Sequence, residues 1–221
     1  MSKKYIAILT VFISLIIYQV SKIYVKLNMK IGDDIPYIGN WARIHFVENE
    51  GMAFGMSFGE GMGKFLLTIF RIIAVGFISY YLVQQVKNKK ASKGFIFALS
   101  LILTGAVGNI IDSIFYGQLF SESTPTQLAT FLPEQGYANF FHGKVVDMFY
   151  FPMYGSILPK WIPFIGGKYY EFFQYIFNIA DACITVGVSI LLVFQKQFFK
   201  EDAHIETIQT STSESSSTSS N

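Results

Sequence analysis

Three aspartates in this chain stand where an aspartate is costly. Asp112 closes Gly105-Ala106-Val107-Gly108-Asn109-Ile110-Ile111-Asp112. Asp147 closes His142-Gly143-Lys144-Val145-Val146-Asp147. Asp181 lies within Phe177-Asn178-Ile179-Ala180-Asp181-Ala182-Cys183-Ile184. Apolar residues surround each of them, and an apolar setting raises a carboxyl pKa by penalising its charged form. Two carboxyls in one such site cannot both ionise easily, so one keeps its proton. The ionised one can take a proton from water, and the protonated one can donate to a carbonyl oxygen. That pairing hydrolyses an amide by general acid–base catalysis, without a metal or a covalent intermediate.

Other routes to hydrolysis lack their residues. Cys183 is the only cysteine and sits among apolar residues with no histidine near it in sequence. It reads as a small core residue. There is no GxSxG elbow and no HExxH helix. His142 reads as a helper or an interface residue. One Cys and three His make a disulfide scaffold impossible and a structural zinc site a poor reading. A net charge of +2 gives no electrostatic footprint for nucleic acid.

The elements that must hold these acids are membrane spans. Hydrophobic residues make up 52% of the 221 and charged residues only 14%, against about 25% charged in a soluble domain. Four apolar stretches, about 5–24, 65–86, 94–114 and 172–194, are each near the ~20 residues that cross a bilayer. The fold class expected is therefore an all-α membrane protein with four transmembrane helices. Lys3 and Lys4, the group Lys87, Lys89, Lys90 and Lys93, and Lys196 with Lys200 mark one side. The positive-inside rule makes that side, with both termini, cytoplasmic. The connections 25–64 and 115–171 then lie outside. The first span reads as a retained anchor, because no small-x-small cleavage site follows Ser21. Arg43–Val47 carries a weak strand pattern. Residues 1–202 read as one membrane-embedded domain, and 203–221 as a disordered Ser/Thr-rich cytoplasmic tail.

On this topology Asp181 lies nine residues into the fourth span, about 14 Å along its axis, with Asn178 and Thr185 on the same face. Gly105, Gly108, Asn109 and Asp112 form a stripe on the third span, its glycines permitting close helix approach. Arg71 can snorkel to the outer interface. The residues alone thus give a cluster of carboxyls and carboxamides near the outer leaflet. A proton-coupled transporter would carry much the same cluster, and a non-catalytic assembly protein remains a third reading.

Taken in order, these segments resemble the lipoprotein signal peptidases, the type II signal peptidase family of bacteria. Residues 105–112 resemble its GxxGNxxD motif, 143–147 its GxVVD motif and 177–184 its FNxADxxI motif. Asn49-Glu50-Gly51-Met52-Ala53-Phe54 resembles its NxGxAF motif, and Lys22 fits a further one. The likeness spans about residues 5–195. It implies an aspartic endopeptidase of the bacterial cytoplasmic (inner) membrane that cuts prolipoproteins just before a diacylglyceryl-modified Cys. It implies Asp147 and Asp181 as the catalytic pair. Asn109, Asp112, Gly143, Asn178 and Lys22 would line and support the site, and Asn49 and Gly51 would belong to an extracytoplasmic β-containing cradle that clamps substrate. The partners implied are the lipid-modified precursor and membrane lipid, with no cofactor and no metal, and the enzyme acting as a monomer. Two positions depart from the family pattern. Tyr18 stands four residues before Lys22 in place of an acid, and Ser113 follows Asp112 in place of an Arg, with Lys144 a candidate to supply the missing charge. Two extra outer stretches, 117–141 and 150–171, are expected to form a lid or an enlarged substrate rim.

Overall fold

A computed structural model describes residues 1–50 and 62–198. Gly51 and the tail 203–221 of the sequence reading lie outside the described residues. The helices are α1 (Lys3–Asn28), α2 (Met62–Lys87), α3 (Lys93–Ile111), α4 (Gly117–Leu119), α5 (Ile179–Val193) and α6 (Gln195–Phe198). A π-helical turn, Asp112–Tyr116, joins α3 to α4. The strands are β1 (Asp34–Ile38), β2 (Ala42–Asn49), β3 (Val145–Tyr150), β4 (Tyr154–Ile157), β5 (Tyr169–Phe172) and β6 (Ile176–Phe177).

Serine caps start two of the long helices. The Ser2 hydroxyl accepts from the Tyr5 N–H at 3.4 Å, and Ser92 from Phe95 at 3.1 Å, which satisfies donors that have no partner inside the helix. Helix α3 is central and packs against α1, α2 and α5. Gly105 and Gly108 set two of these approaches. A Cβ at Gly105 would collide with the Ala180 carbonyl, and one at Gly108 would meet the Tyr18 ring at 2.6 Å. Helices α1 and α2 turn Phe12, Ile16, Phe70 and Phe77 outward, as a lipid solvent requires. Among the described residues three helical segments, Lys3–Asn28, Met62–Lys87 and Lys93–Leu119, are long and apolar enough to cross a membrane.

The fourth apolar stretch departs from the sequence expectation. Phe172 ends β5, Ile176–Phe177 form β6, and helix begins only at Ile179. Hydropathy cannot separate a Phe- and Tyr-rich strand from a helix. Asn178 makes the division here. Its extended backbone ends the strand, and its side chain accepts from the Ala180 and Asp181 N–H groups at 2.8 and 3.3 Å. Asp181 therefore stands in the first turn of α5, not nine residues down a span. Asn178 caps that helix rather than lying on its face. At 15 residues, α5 is about 22 Å long.

The main sheet has the order β1-β2-β3-β6 and is antiparallel throughout. Val47 faces Asp147 and Phe149 faces Phe177. Side chains alternate across a strand. Val146 and Met148 thus enter an apolar core with Val25, Met29, Phe46, Tyr116 and Phe120, and Asp147 takes the opposite face. Strand β2 contains the segment that the sequence marked as a strand. At the other end of the bundle, Lys3 Nζ donates to the carbonyls of Asn88 and Lys89 at 2.7 and 3.0 Å, and Phe198 packs on Phe95. The start of α1, the α2–α3 loop and α6 thus share one lysine-rich end, opposite the sheet.

Candidate active site

Four elements converge at the sheet end of the helices. Strand β3 brings Asp147, and β2 brings Asn49, two residues along from Asp147's cross-strand partner and so on the same face. The end of α3 brings Asn109 and Asp112, and the start of α5 brings Asn178 and Asp181. Asn178 Nδ2 donates to Asp147 Oδ1 at 2.5 Å, and Asn49 Nδ2 donates to Asp147 Oδ2. Asp181 Oδ2 accepts from the Asn178 backbone N–H at 3.1 Å, completing a capping box. Its Oδ1 accepts from Asn109 Nδ2 at 3.4 Å. Asn178 thus grips both carboxyls, one through its side-chain amide and the other through its backbone.

The two acids differ in setting. Asp147 is 3% exposed. Burial pushes its carboxyl up to about 7. Lys22 and the Asn178 amide pull it down, and the charges of Asp181 and Asp112 add to the rise. Asp181 sits at a helix N-terminus, where the partial positive charge of unpaired N–H groups favours an anion. A buried carboxyl whose charged form is penalised therefore stands beside one at a helix N-terminus.

Asp112 is built differently. It is fully buried and ion-paired to Lys22. Its Oδ2 also accepts from the Tyr18 hydroxyl at 3.1 Å, and its Oδ1 from Gln19 Nε2 at 3.3 Å. Tyr116 locks Gln19 by donating to Oε1 at 2.8 Å. Lys22 Nζ also donates to Asn109 Oδ1 at 3.2 Å, and the single Tyr18 hydroxyl proton is shared between Asp112 Oδ2 and this oxygen, 3.0 Å away. That oxygen is thereby held as an acceptor, so the amide's Nδ2 is the end presented to Asp181. Gly143 is needed where the chain crosses this turn. Its N–H donates to the Ser113 carbonyl at 2.9 Å, and a Cβ there would collide with the Asp112 carbonyl. Among the described residues no group of three or more His, Cys, Asp or Glu is arranged to hold a metal ion.

A family model for signal peptidase (SPase) II matches residues 10–197, nearly the whole described chain. The chain belongs to the signal peptidase II family. A relative named lipoprotein signal peptidase from Porphyromonas gingivalis is 47% identical over 191 residues, 86% of this chain and 82% of its own length. Another from Amoebophilus asiaticus is 38% identical over 183 residues, 82% and 73% of the two chains. A solved bacterial membrane enzyme is 25% identical over 86% of this chain and 87% of its own, with a TM-score of 0.53.

Within this signal peptidase II chain, the geometry accounts for the first departure from the family pattern. Tyr18 stands where the resemblance expects an acid, and its hydroxyl donates into the Asp112–Asn109 cluster. Ser113 Oγ instead turns back to the Asn109 carbonyl at 3.0 Å. Lys144, the candidate for the missing charge, points toward the extra stretch 117–141. Its Nζ lies 3.6 Å from Glu122, over the Tyr137 ring. His142 Nδ1 is engaged with the Phe140 carbonyl at 2.9 Å.

Sequence reasoning missed a second buried ion pair. Lys26 bonds to Glu48 of β2, and Ser123 lies 2.9 Å from both. This pair fixes the extra stretch 117–141 to α1 and to the strand that carries Asn49. Lys26 falls one helical turn after Lys22 in an otherwise apolar helix, and that spacing was the one available signal.

Proposed function

We propose that this chain is an aspartic endopeptidase of the bacterial cytoplasmic membrane, acting as a monomer. It removes signal peptides from prolipoproteins by cutting just before the diacylglyceryl-modified Cys. Four helices, α1, α2, α3 and α5, span the membrane with both termini cytoplasmic. Clustering of the lysine-rich ends opposite the sheet supports that orientation. The acids then lie near the periplasmic leaflet, at the level where a lipid-anchored Cys would hold the scissile bond.

The observation that carries the reading is the grip of Asn178 on both Asp147 and Asp181. It couples a carboxyl buried on a strand to one at the mouth of a helix. Asp181 takes a proton from water as that water attacks the scissile carbonyl carbon. Asp147 gives its proton to the carbonyl oxygen, and a neutral gem-diol forms. The C–N bond then breaks. Asp181 returns its proton to the leaving amine, and Asp147 recovers one from a diol hydroxyl. Asn109 and Asn178 hold the pair, Lys22 and Asp112 fix Asn109, and Asn49 orients Asp147. Asn49 belongs to the cradle that clamps substrate.

The test is purified protein in lipid with a diacylglyceryl-modified prolipoprotein, following signal-peptide release on a gel. The parent cleaves, whereas folded Asp147→Asn and Asp181→Asn variants do not. Near-parental cleavage by either variant would show that the pair is misassigned.

A further inference from the structure

The extra stretch after β3 forms a hairpin that buries little of what it carries. Trp161 is 81% exposed and Phe164 is 98% exposed, and Met153, Ile157, Tyr169 and Tyr175 are exposed beside them. Large apolar side chains so exposed on one hairpin mark an interaction surface. We propose that the β4–β5 hairpin is a lipid-binding element, whose Trp161–Phe164 tip lies in the headgroup–acyl boundary of the bilayer that holds the helices.

Three observations select lipid as the occupant. The first is chemistry. Trp, Tyr and Phe with flanking Lys mark membrane interfaces, and the tip carries Trp161 and Phe164 between Lys160 and Lys168. The hairpin's single acid, Glu171, is bonded instead to Tyr150 at its base, so the tip presents net positive charge to lipid phosphates. The second is placement. The hairpin springs from β3 and returns through β6, which pair at Tyr150 and Ile176. Only Asn178 separates β6 from α5, so its base stands at the mouth of the helix layer, level with the lipid surface.

The third is a turn held by its own backbone, which presents the tip as a fixed shape at the wet headgroup level. Strand pairing runs from Tyr154–Phe172 to Ile157–Tyr169. The turn is closed by Leu158 N–H to Lys168 O at 3.0 Å, Gly167 N–H to Leu158 O at 2.8 Å, Gly166 N–H to Ile162 O at 3.0 Å and Ile162 N–H to Pro159 O at 3.1 Å. Phe164 also adopts φ +67°, a left-handed conformation uncommon for a bulky residue, and its ring is exposed.

The inference rests on the membrane placement proposed above and not on the peptidase chemistry. The chain has two tryptophans, so full-length Trp41→Phe protein leaves Trp161 as the single reporter. Flotation of that protein with phosphatidylethanolamine–phosphatidylglycerol vesicles first checks helix insertion separately. Trp161 emission is then blue-shifted, loses most of its intensity when the lipids carry bromine near the top of their acyl chains, and resists aqueous iodide. As an independent variant, Cys183→Ser/Phe164→Cys with a nitroxide at 164 relaxes with oxygen rather than with an aqueous nickel chelate. Iodide-accessible, water-like emission untouched by bromolipid overturns the proposal. So does bromolipid quenching that appears only with prolipoprotein, which makes the hairpin a substrate rim. Quenching that follows the protein-to-lipid ratio overturns it in favour of a second copy.

Discussion

Asp112 and Asp147 are both buried at the same end of the molecule, yet they are held by opposite means. Asp112 has a cation, a phenol and an amide on its oxygens. Asp147 has two amides and, among the described residues, no ion-paired cation. The first carboxyl has an ion-pair partner, and through it Lys22 is aimed at Asn109. The second is buried without a matching charge, so its ionisation is costly and its proton is available near neutral pH. The difference locates the reactive acid by what its neighbours omit rather than by what they supply.

The largest expected effect comes from removing the uncompensated acid. Asp147→Asn lowers kcat/KM by about 10²–10⁴-fold, the usual contribution of a general acid or base. The same variant is more stable than the parent at alkaline pH. The folded pKa of Asp147 is raised to about 7, so its penalty is absent below about pH 4, grows as pH rises and is complete above 7. At pH 8 the gain is on the order of 4 kcal/mol, and at pH 4 it vanishes. Thermal unfolding at the two pH values reads this directly. An equal effect at both would place the stability change outside Asp147's ionisation.

Lys22→Met turns the compensated acid into an uncompensated one. Breaking a buried pair costs about 3–5 kcal/mol, read as a lowered Tm. The double variant Lys22→Met/Asp112→Asn recovers most of it. Because Lys22 also draws the Asp147 pKa down, its loss moves the alkaline limb of the pH–rate profile to higher pH. A stability loss with an unmoved limb would separate the two clusters.

This contrast was only half legible in the sequence. Asp112, Asp147, Asp181 and their asparagines were visible because polar residues in apolar runs have few explanations. Their depth was not. Residues 172–177 are as apolar in strands as in a helix, so only the cap at Asn178 shows that Asp181 stands at a helix mouth. Tyr18 looked like a defect because a phenol and an acid differ in charge. In three dimensions its hydroxyl reaches the same cluster. Glu48 and Ser123 lie 22 and 97 residues from Lys26, a separation that no local pattern spans.

Tyr18→Phe tests how much of the Asp112 compensation is neutral. It removes one hydrogen bond to a charged group, worth about 1.5–3 kcal/mol, and leaves Lys22 in place. The Tm falls by less than in Lys22→Met. KM stays near parental and kcat drops, because Asn109 loses a donor that holds its oxygen away from Asp181. A pure stability loss with parental kcat would make Tyr18 packing alone.

Ser123→Ala is the mildest test and extends the comparison to a third buried acid. Glu48 is compensated by Lys26, as Asp112 is by Lys22, but here the neutral partner comes from the extra stretch 117–141. Removing the hydroxyl leaves the ion pair intact and costs about 1 kcal/mol. If compensation by the cation dominates at both sites, Ser123→Ala resembles a weaker Tyr18→Phe in Tm. It differs in kinetics, because Glu48 neighbours Asn49 on β2 and stands on the cradle side. The expected change is therefore a rise in KM for the prolipoprotein with kcat held. A fall in kcat at constant KM would instead tie the extra stretch to the acids themselves, and the sheet would then transmit position from Glu48 through Asn49 to Asp147.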